Sequence, residues 1–234
     1  MLRTCLTVAA IIAGVATAQD KAAVVQLDPE AFAAEVKKDE RAAASKFKGR
    51  AIELSGQVAG VHRNIRGDVY LSLPSKSAGI LGVACFLKDP NIYGKVVKGQ
   101  AVTVRGRYPD VRVGVQILDC EVVKVGPSPA LTYTSEQMAR EWTMDRKAAT
   151  QKWKDKVVIV SGEVAGTKAN DVGAVTVYLK GTDTARIDCG FTAFEKDLAG
   201  KIKPGEQVKI VGEFLDVESK PAGPGLRFCQ IVKD

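Results

Sequence analysis

Along most of this chain apolar residues recur at every second position rather than every third or fourth. Val69, Leu71 and Leu73 alternate with Tyr70 and Ser72, and Val102, Val104, Gly106 and Tyr108 alternate with Thr103, Arg105 and Arg107. This is the pattern of a strand with one buried and one wet face. Five strands are predicted in the first half, over 51–61, 69–73, 81–87, 102–108 and 115–123. Gly56 and Gly60 in the first of them mark a bend, which lets one strand curl around a closed barrel. Residues 62–68 are expected to form the loop to the second strand.

Helical spacing is rarer. Asp28-Pro29-Glu30 supplies an N-cap, a first-turn proline and a first-turn acid, so a helix is predicted from there to about Ser45, with Phe32 and Val36 on its buried face. Residues 19–26 before it are expected to be a short tether. Residues 88–99, between the third and fourth strands, are too many for a tight hairpin; the corresponding 192–205 reads as a short helix.

The whole pattern occurs twice. Lys46 to Gly60, KFKGRAIELSGQVAG, returns 106 residues later as Lys152 to Gly166, KWKDKVVIVSGEVAG, identical at seven of fifteen positions. Phe32 and Val36 keep the same spacing to Met138 and Trp142, and Val208, Ile210, Gly212 and Phe214 repeat the inward set of the fourth strand. Tandem repetition divides the mature chain into two domains, 19–126 and 127–234, joined at Gly126-Pro127-Ser128-Pro129. Strand order β-β-β-α-β-β within each makes the expected fold mostly β: two tandem five-stranded OB-fold barrels, each preceded by a helix.

Residues 1–18 read as a signal peptide, with Arg3, an apolar run from Cys5 to Ala16, and an Ala16-Thr17-Ala18 cleavage site. The run is too short to span a bilayer, so an exported protein without a transmembrane segment in the mature chain is expected, periplasmic or extracellular. Cys85, Cys120, Cys189 and Cys229 then remain, two per repeat. Repeat symmetry pairs Cys85 with Cys120 and Cys189 with Cys229. The third and fifth strands of an OB barrel are neighbours, which gives the same pairing; disulfides are expected, with buried free thiols as the alternative. With a single histidine and no close cysteine pair, no metal site and no cofactor are expected.

The lead helix, K-[FW]-K-x-[KR] entering a strand that ends S-G-x-V, a cysteine strand, K-G or P-G before V-x-V-x-G, and a last cysteine strand together resemble the tRNA_anti-like family. These are OB-fold proteins, exported bacterial proteins and lipoproteins among them, named for likeness to a tRNA synthetase anticodon-binding domain. The resemblance covers nearly the whole mature chain, once per repeat, and implies the fold. It brings no catalytic residues with it.

The net charge of +7 lies mostly in the first repeat, where residues 19–126 hold 17 basic and 12 acidic side chains. OB-folds bind ligands on strands two and three and the flanking loops. Arg63, Arg66 and Arg112 in those loops, Arg105 and Arg107 on the fourth strand, and Tyr70 on the second make a candidate basic rim around one aromatic. Solvated basic loops are the plainer reading. At the equivalent places the second repeat has Ala169, Val172, Val211 and Glu213 instead of Arg63, Arg66, Arg105 and Arg107. Replacing Arg63 and Arg66 is therefore expected to weaken polyanion binding and to leave stability nearly unchanged. His62 has no sequence-evident nucleophile beside it, so no enzyme is expected. The reading is a non-enzymatic binding or interaction module with an envelope protein or an anionic polymer as partner. Nucleic acid or an acidic polysaccharide is the alternative ligand.

Overall fold

The computed structural model describes residues 24–92, 95–109, 114–215 and 223–232; the expected signal peptide and Arg112 lie outside them. In the first repeat the elements are β1 (Val25–Leu27), α1 (Pro29–Lys38), α2 (Glu40–Phe47), β2 (Ala51–Gln57), β3 (Gly60–Arg63), β4 (Val69–Ser75), β5 (Gly79–Leu87), β6 (Ala101–Arg107) and β7 (Gln116–Val125). The second follows with β8 (Leu131–Thr134), α3 (Ser135–Met144), α4 (Arg146–Trp153), β9 (Val157–Ala169), β10 (Val175–Leu179), β11 (Ile187–Phe191), α5 (Lys196–Ala199), β12 (Gln207–Leu215) and β13 (Gly225–Ile231).

In both repeats the long first strand serves two partners, which closes the barrel. Residues 157–163 of β9 pair with β12 and residues 164–169 with β10. In the first repeat the two halves are the separate strands β2, paired with β6, and β3, paired with β4. The third strand runs parallel to the fifth, β5 beside β7 and β11 beside β13. With the antiparallel pairs β4–β5, β6–β7, β10–β11 and β12–β13, each repeat is the five-stranded OB barrel that the alternation predicted. Short helical turns, Pro90–Ile92 in one repeat and Ala193–Glu195 with α5 in the other, stand between strands three and four.

Three sequence expectations are corrected. The segment ahead of the first helix is not only a tether, because Val25–Leu27 adds to β2 in parallel, as Leu131–Thr134 adds to β9. Each lead helix is two helices. Asp39 is extended, at φ −159°, and its carboxylate accepts from the Ala42 amide, so one residue ends α1 and caps α2; Asp145 does the same between α3 and α4. Finally, residues 62 and 63 belong to β3 rather than to the loop.

Each helix pair plugs one end of its barrel with aromatic rings. Phe32, Phe47 and Tyr108 form the first plug, with ring centroids 5.7–6.1 Å apart, and Trp142, Trp153 and Phe214 form the second. Phe32, Phe47 and Trp153 are wholly buried.

Candidate functional site

Extending the first strand to Arg63 changes the outer face of barrel one. His62 lies opposite Tyr70 in the register of β3 and β4, and Tyr70 lies opposite Phe86 in that of β4 and β5. All three side chains point away from the core, and their rings form a row across three strands. His62 and Tyr70 are stacked at 5.0 Å between centroids, and Tyr70 and Phe86 are 5.1 Å apart. The imidazole is held by Nε2 against the Ser72 hydroxyl at 3.1 Å. Burial lowers its pKa below the ordinary value, against the opposing pull of Glu213, so the neutral ring is favoured. Ser72 is buried on a regular strand and also donates to the Gly60 carbonyl. The Ser72–His62 contact is thus a cross-strand tie rather than an exposed nucleophile.

Barrel two closes over one end of this row. Gln230 Nε2 donates to the Val61 carbonyl at 3.1 Å, Lys98 Nζ meets Glu213 at 2.9 Å, and Arg63 Nε lies 3.5 Å from Glu195, whose side chain is only 3% exposed. The cleft between them has a volume of about 270 Å³. His62 and Tyr70 line one wall, and Phe194, Val211 and Phe228 the other. Phe194 and Phe228 are each about half exposed, at 52% and 55%.

The structure brings together only part of the proposed rim. Arg63 stands beside the rings, but its guanidinium is engaged by Glu195 and by the Gly67 carbonyl at 2.8 Å. Arg66 is exposed at the tip of the adjoining loop, where the Asn64 side chain accepts from its backbone amide and that of Asp68. Arg105 and Arg107 do not join them. They project from β6, which β7 and β5 separate from β4, and each is paired with a local carboxylate, Glu53 at 2.7 Å and Asp119 respectively. A strand's outward side is not one surface on a barrel, because facing outward on β6 means facing a different direction from β4.

Reading by residue type missed His62 and Phe86. Phe86 occupies an outward position of the third strand beside the inward Cys85, and His62 joins the outward set only because the first strand runs past Val61. Phe194, Glu195 and Phe228 carry no signal short of knowing how the barrels meet.

Barrel two has no such row. Thr176, which stands where Tyr70 does, lies opposite Lys168 and Gly190 in place of two rings, and Tyr178, the next outward residue of β10, lies opposite Gly166 and Asp188. The Arg186 guanidinium lies over its face at 3.9 Å and bonds Asp188 at 3.0 Å.

The four remaining cysteines are buried as free thiols, so the expected disulfides are not formed in this structure. They are nonetheless brought together in the expected pairs. The neighbouring Cys120 thiol, and then burial, push the pKa of Cys85 well up; burial first, then the neighbouring Cys189 thiol, does so for Cys229.

Comparison by sequence matches the tRNA_anti-like family model to residues 7–122 and again to 121–222. The chain belongs to the tRNA_anti-like family. Its two matches follow the two barrels, and the family and fold resemble binding modules rather than catalytic ones. None of the curated protein sequences compared with this tRNA_anti-like chain matches it. Among solved structures, a lipoprotein from Klebsiella pneumoniae provisionally described as nucleic acid-binding is 20% identical, with a TM-score of 0.40 over 44% of this chain and 92% of its own. A Leishmania major protein provisionally described as an aspartyl-tRNA synthetase is 13% identical, with a TM-score of 0.33 over 45% of this chain and 21% of its own. A replication protein A heterotrimer bound to single-stranded DNA is 8% identical, with a TM-score of 0.36 over 78% of this chain and 49% of its own. Among the described residues no helix is long and apolar enough to cross a membrane.

Proposed function

We propose that this protein is an exported, non-enzymatic binding module that takes single-stranded nucleic acid on the outer face of its first barrel. The observation that carries this reading is the row His62–Tyr70–Phe86. Successive bases stack on aromatic side chains whatever their sequence, and strands two and three are where OB-folds offer such rings. Barrel two supplies a second wall, through Phe194 and Phe228, at one end of the row. Barrel two has Thr176 in place of Tyr70, and the neighbouring Tyr178 is covered by Arg186, so binding belongs to barrel one. Export rests on the N-terminal segment alone.

Affinity should come chiefly from stacking. Arg63, Lys98, Arg105 and Arg107 each already face a carboxylate of the protein, leaving Arg66 as the rim arginine without one among the described residues. Because each neutralised phosphate adds about −0.7 to the salt slope on a single strand, a shallow slope near −1 is expected. The test is titration of a labelled oligothymidylate across a salt series, with Tyr70→Ala and Phe86→Ala. Each ring removed should cost about 1–3 kcal/mol, roughly 5-fold to 150-fold in affinity. Lack of saturable binding at low salt, or binding indifferent to both substitutions, would overturn the proposal.

The second reading is an envelope-protein partner on the same face, favoured by the alternation of Arg63, Glu195, Lys98 and Glu213 around the cleft. A mixed rim around an apolar centre is the usual composition of a protein interface. In that case the ring substitutions would abolish co-purification of the partner while leaving no oligonucleotide binding to lose.

A further inference from the structure

Both barrels hold their cysteine pair by the same unusual device. In β7 the residue before Cys120, Asp119, has φ 52°, and in β13 the residue before Cys229, Phe228, also has φ 52°. The left-handed region costs a non-glycine residue on the order of 1 kcal/mol or more, and here it is occupied at the same place in each repeat. At both places the pairing with the fourth strand slips: between Arg105 and Arg107 in one repeat, and between Val211 and Glu213 in the other. Each fifth strand therefore carries a bulge. The bulge turns one side chain outward, Asp119 or Phe228, and the next one, the cysteine, inward.

The fourth strand makes room for the sulfur in both repeats. A Cβ on Gly106 would come within 2.7 Å of Cys120 Sγ, and one on Gly212 within 2.8 Å of Cys229 Sγ. On the other side the parallel third strand presents the partner, with Cys85 registered to Ile117 and Cys189 to Leu226, each three residues before the fifth-strand cysteine. A single buried thiol is explained by packing alone, since cysteine serves as a small apolar residue. Two thiols in contact, placed in both barrels by a strained bulge and a facing glycine, are not.

We propose that each pair is a disulfide site, Cys85–Cys120 and Cys189–Cys229, tying the third strand of each barrel to the fifth. The oxidant is a small-molecule or protein disulfide. One cysteine thiolate attacks it to give a mixed disulfide and releases one thiol. The second cysteine thiolate then displaces the other oxidant sulfur. Two electrons and the two cysteine protons end on the oxidant's sulfurs, and one S–S bond forms in the barrel. Because all four sulfurs are buried, reaction requires an opened or still-folding barrel, and the closed bond is shielded from reductants in turn. The bridge lies inside each barrel and is independent of the binding reading above.

The test uses the full chain carrying Cys5→Ser, folded in a buffer of oxidised and reduced glutathione, then denatured and alkylated without further reduction. Complete protection of all four cysteines is expected, with peptide mapping that joins Cys85 only to Cys120 and Cys189 only to Cys229. The doubly substituted Cys85→Ser, Cys120→Ser chain should still protect Cys189 and Cys229. Full alkylation of all four under oxidising conditions, glutathione left on any of them, or a bond between barrels would overturn the proposal. A chain that fails to fold without the first pair is covered by the parent chain, whose protection pattern decides alone.

Discussion

At the scale of single residues, Glu30 illustrates how one carboxylate can be held by geometry. It stands in the first turn of α1 and accepts from the hydroxyls of Ser75 and Ser77 and from the amides of Lys76 and Ser77, at the tip of the β4–β5 hairpin. The Ser77 and Ser75 hydroxyls, then the amides, lower its pKa to about 2 from an ordinary 4.5. A folded pKa below the unfolded one means stability present above about pH 4.5 and lost as the pH falls toward 2. Glu30→Gln should therefore lower stability most above about pH 4.5, with the difference from the parent shrinking as the pH falls toward 2 so that the acid limb flattens, as urea unfolding at a series of pH values would measure. Glu136, in the same place of the second repeat, pairs with Arg140 on its own helix instead. Arg63 corrects an expectation at this scale. Its loss removes a cation from beside Glu195, a carboxylate 3% exposed, so Arg63→Ala should destabilise the protein by about 1–3 kcal/mol, while Arg66→Ala at the exposed loop tip should not. Thermal unfolding of the two single variants separates them.

At the scale of elements the repeat acts as its own control. Gly49 turns the chain from α2 into β2 at φ 67°, and the equivalent Asp155 makes the same turn at φ 57°. Aspartate bears a steric cost there that glycine does not, so Asp155→Gly should raise stability by up to about 1 kcal/mol, read as a higher denaturation midpoint. Strands were legible because their signal is period two over five or more residues, and comparing copies removed most ambiguity about which residues faced in. The breaks at Asp39 and Asp145 were harder to see, because helix formers continue on both sides. What reveals them is an aspartate at the same place in both copies, able to cap forward. Strand ends were least legible: the alternation through Val61 did not say that pairing with β4 continues to Arg63. That short continuation is what converts one tyrosine into a row of rings.

At the scale of the whole molecule, the candidate face depends on how two similar barrels meet, and nothing in either repeat encodes that locally. Barrel two approaches with the outer side of its fourth and fifth strands, through Glu213 and Gln230, and turns its own second-strand tyrosine elsewhere. The bulge that faces Cys229 inward also places Phe228 in the cleft, so core and site geometry in barrel two share one backbone irregularity. In barrel one the same bulge presents Asp119, which neutralises Arg107. Duplication supplied one scaffold twice, and a few outward side chains divided the roles.

The short parallel strands β1 and β8 have a further consequence. Each lies along the side of its first strand that the fourth strand leaves open. A bare row of backbone amides and carbonyls is the template on which chains add to one another edge to edge. By supplying three or four residues of its own chain in advance, each barrel covers the longer first strand and leaves a much shorter edge in its place, which gives another chain little to pair with.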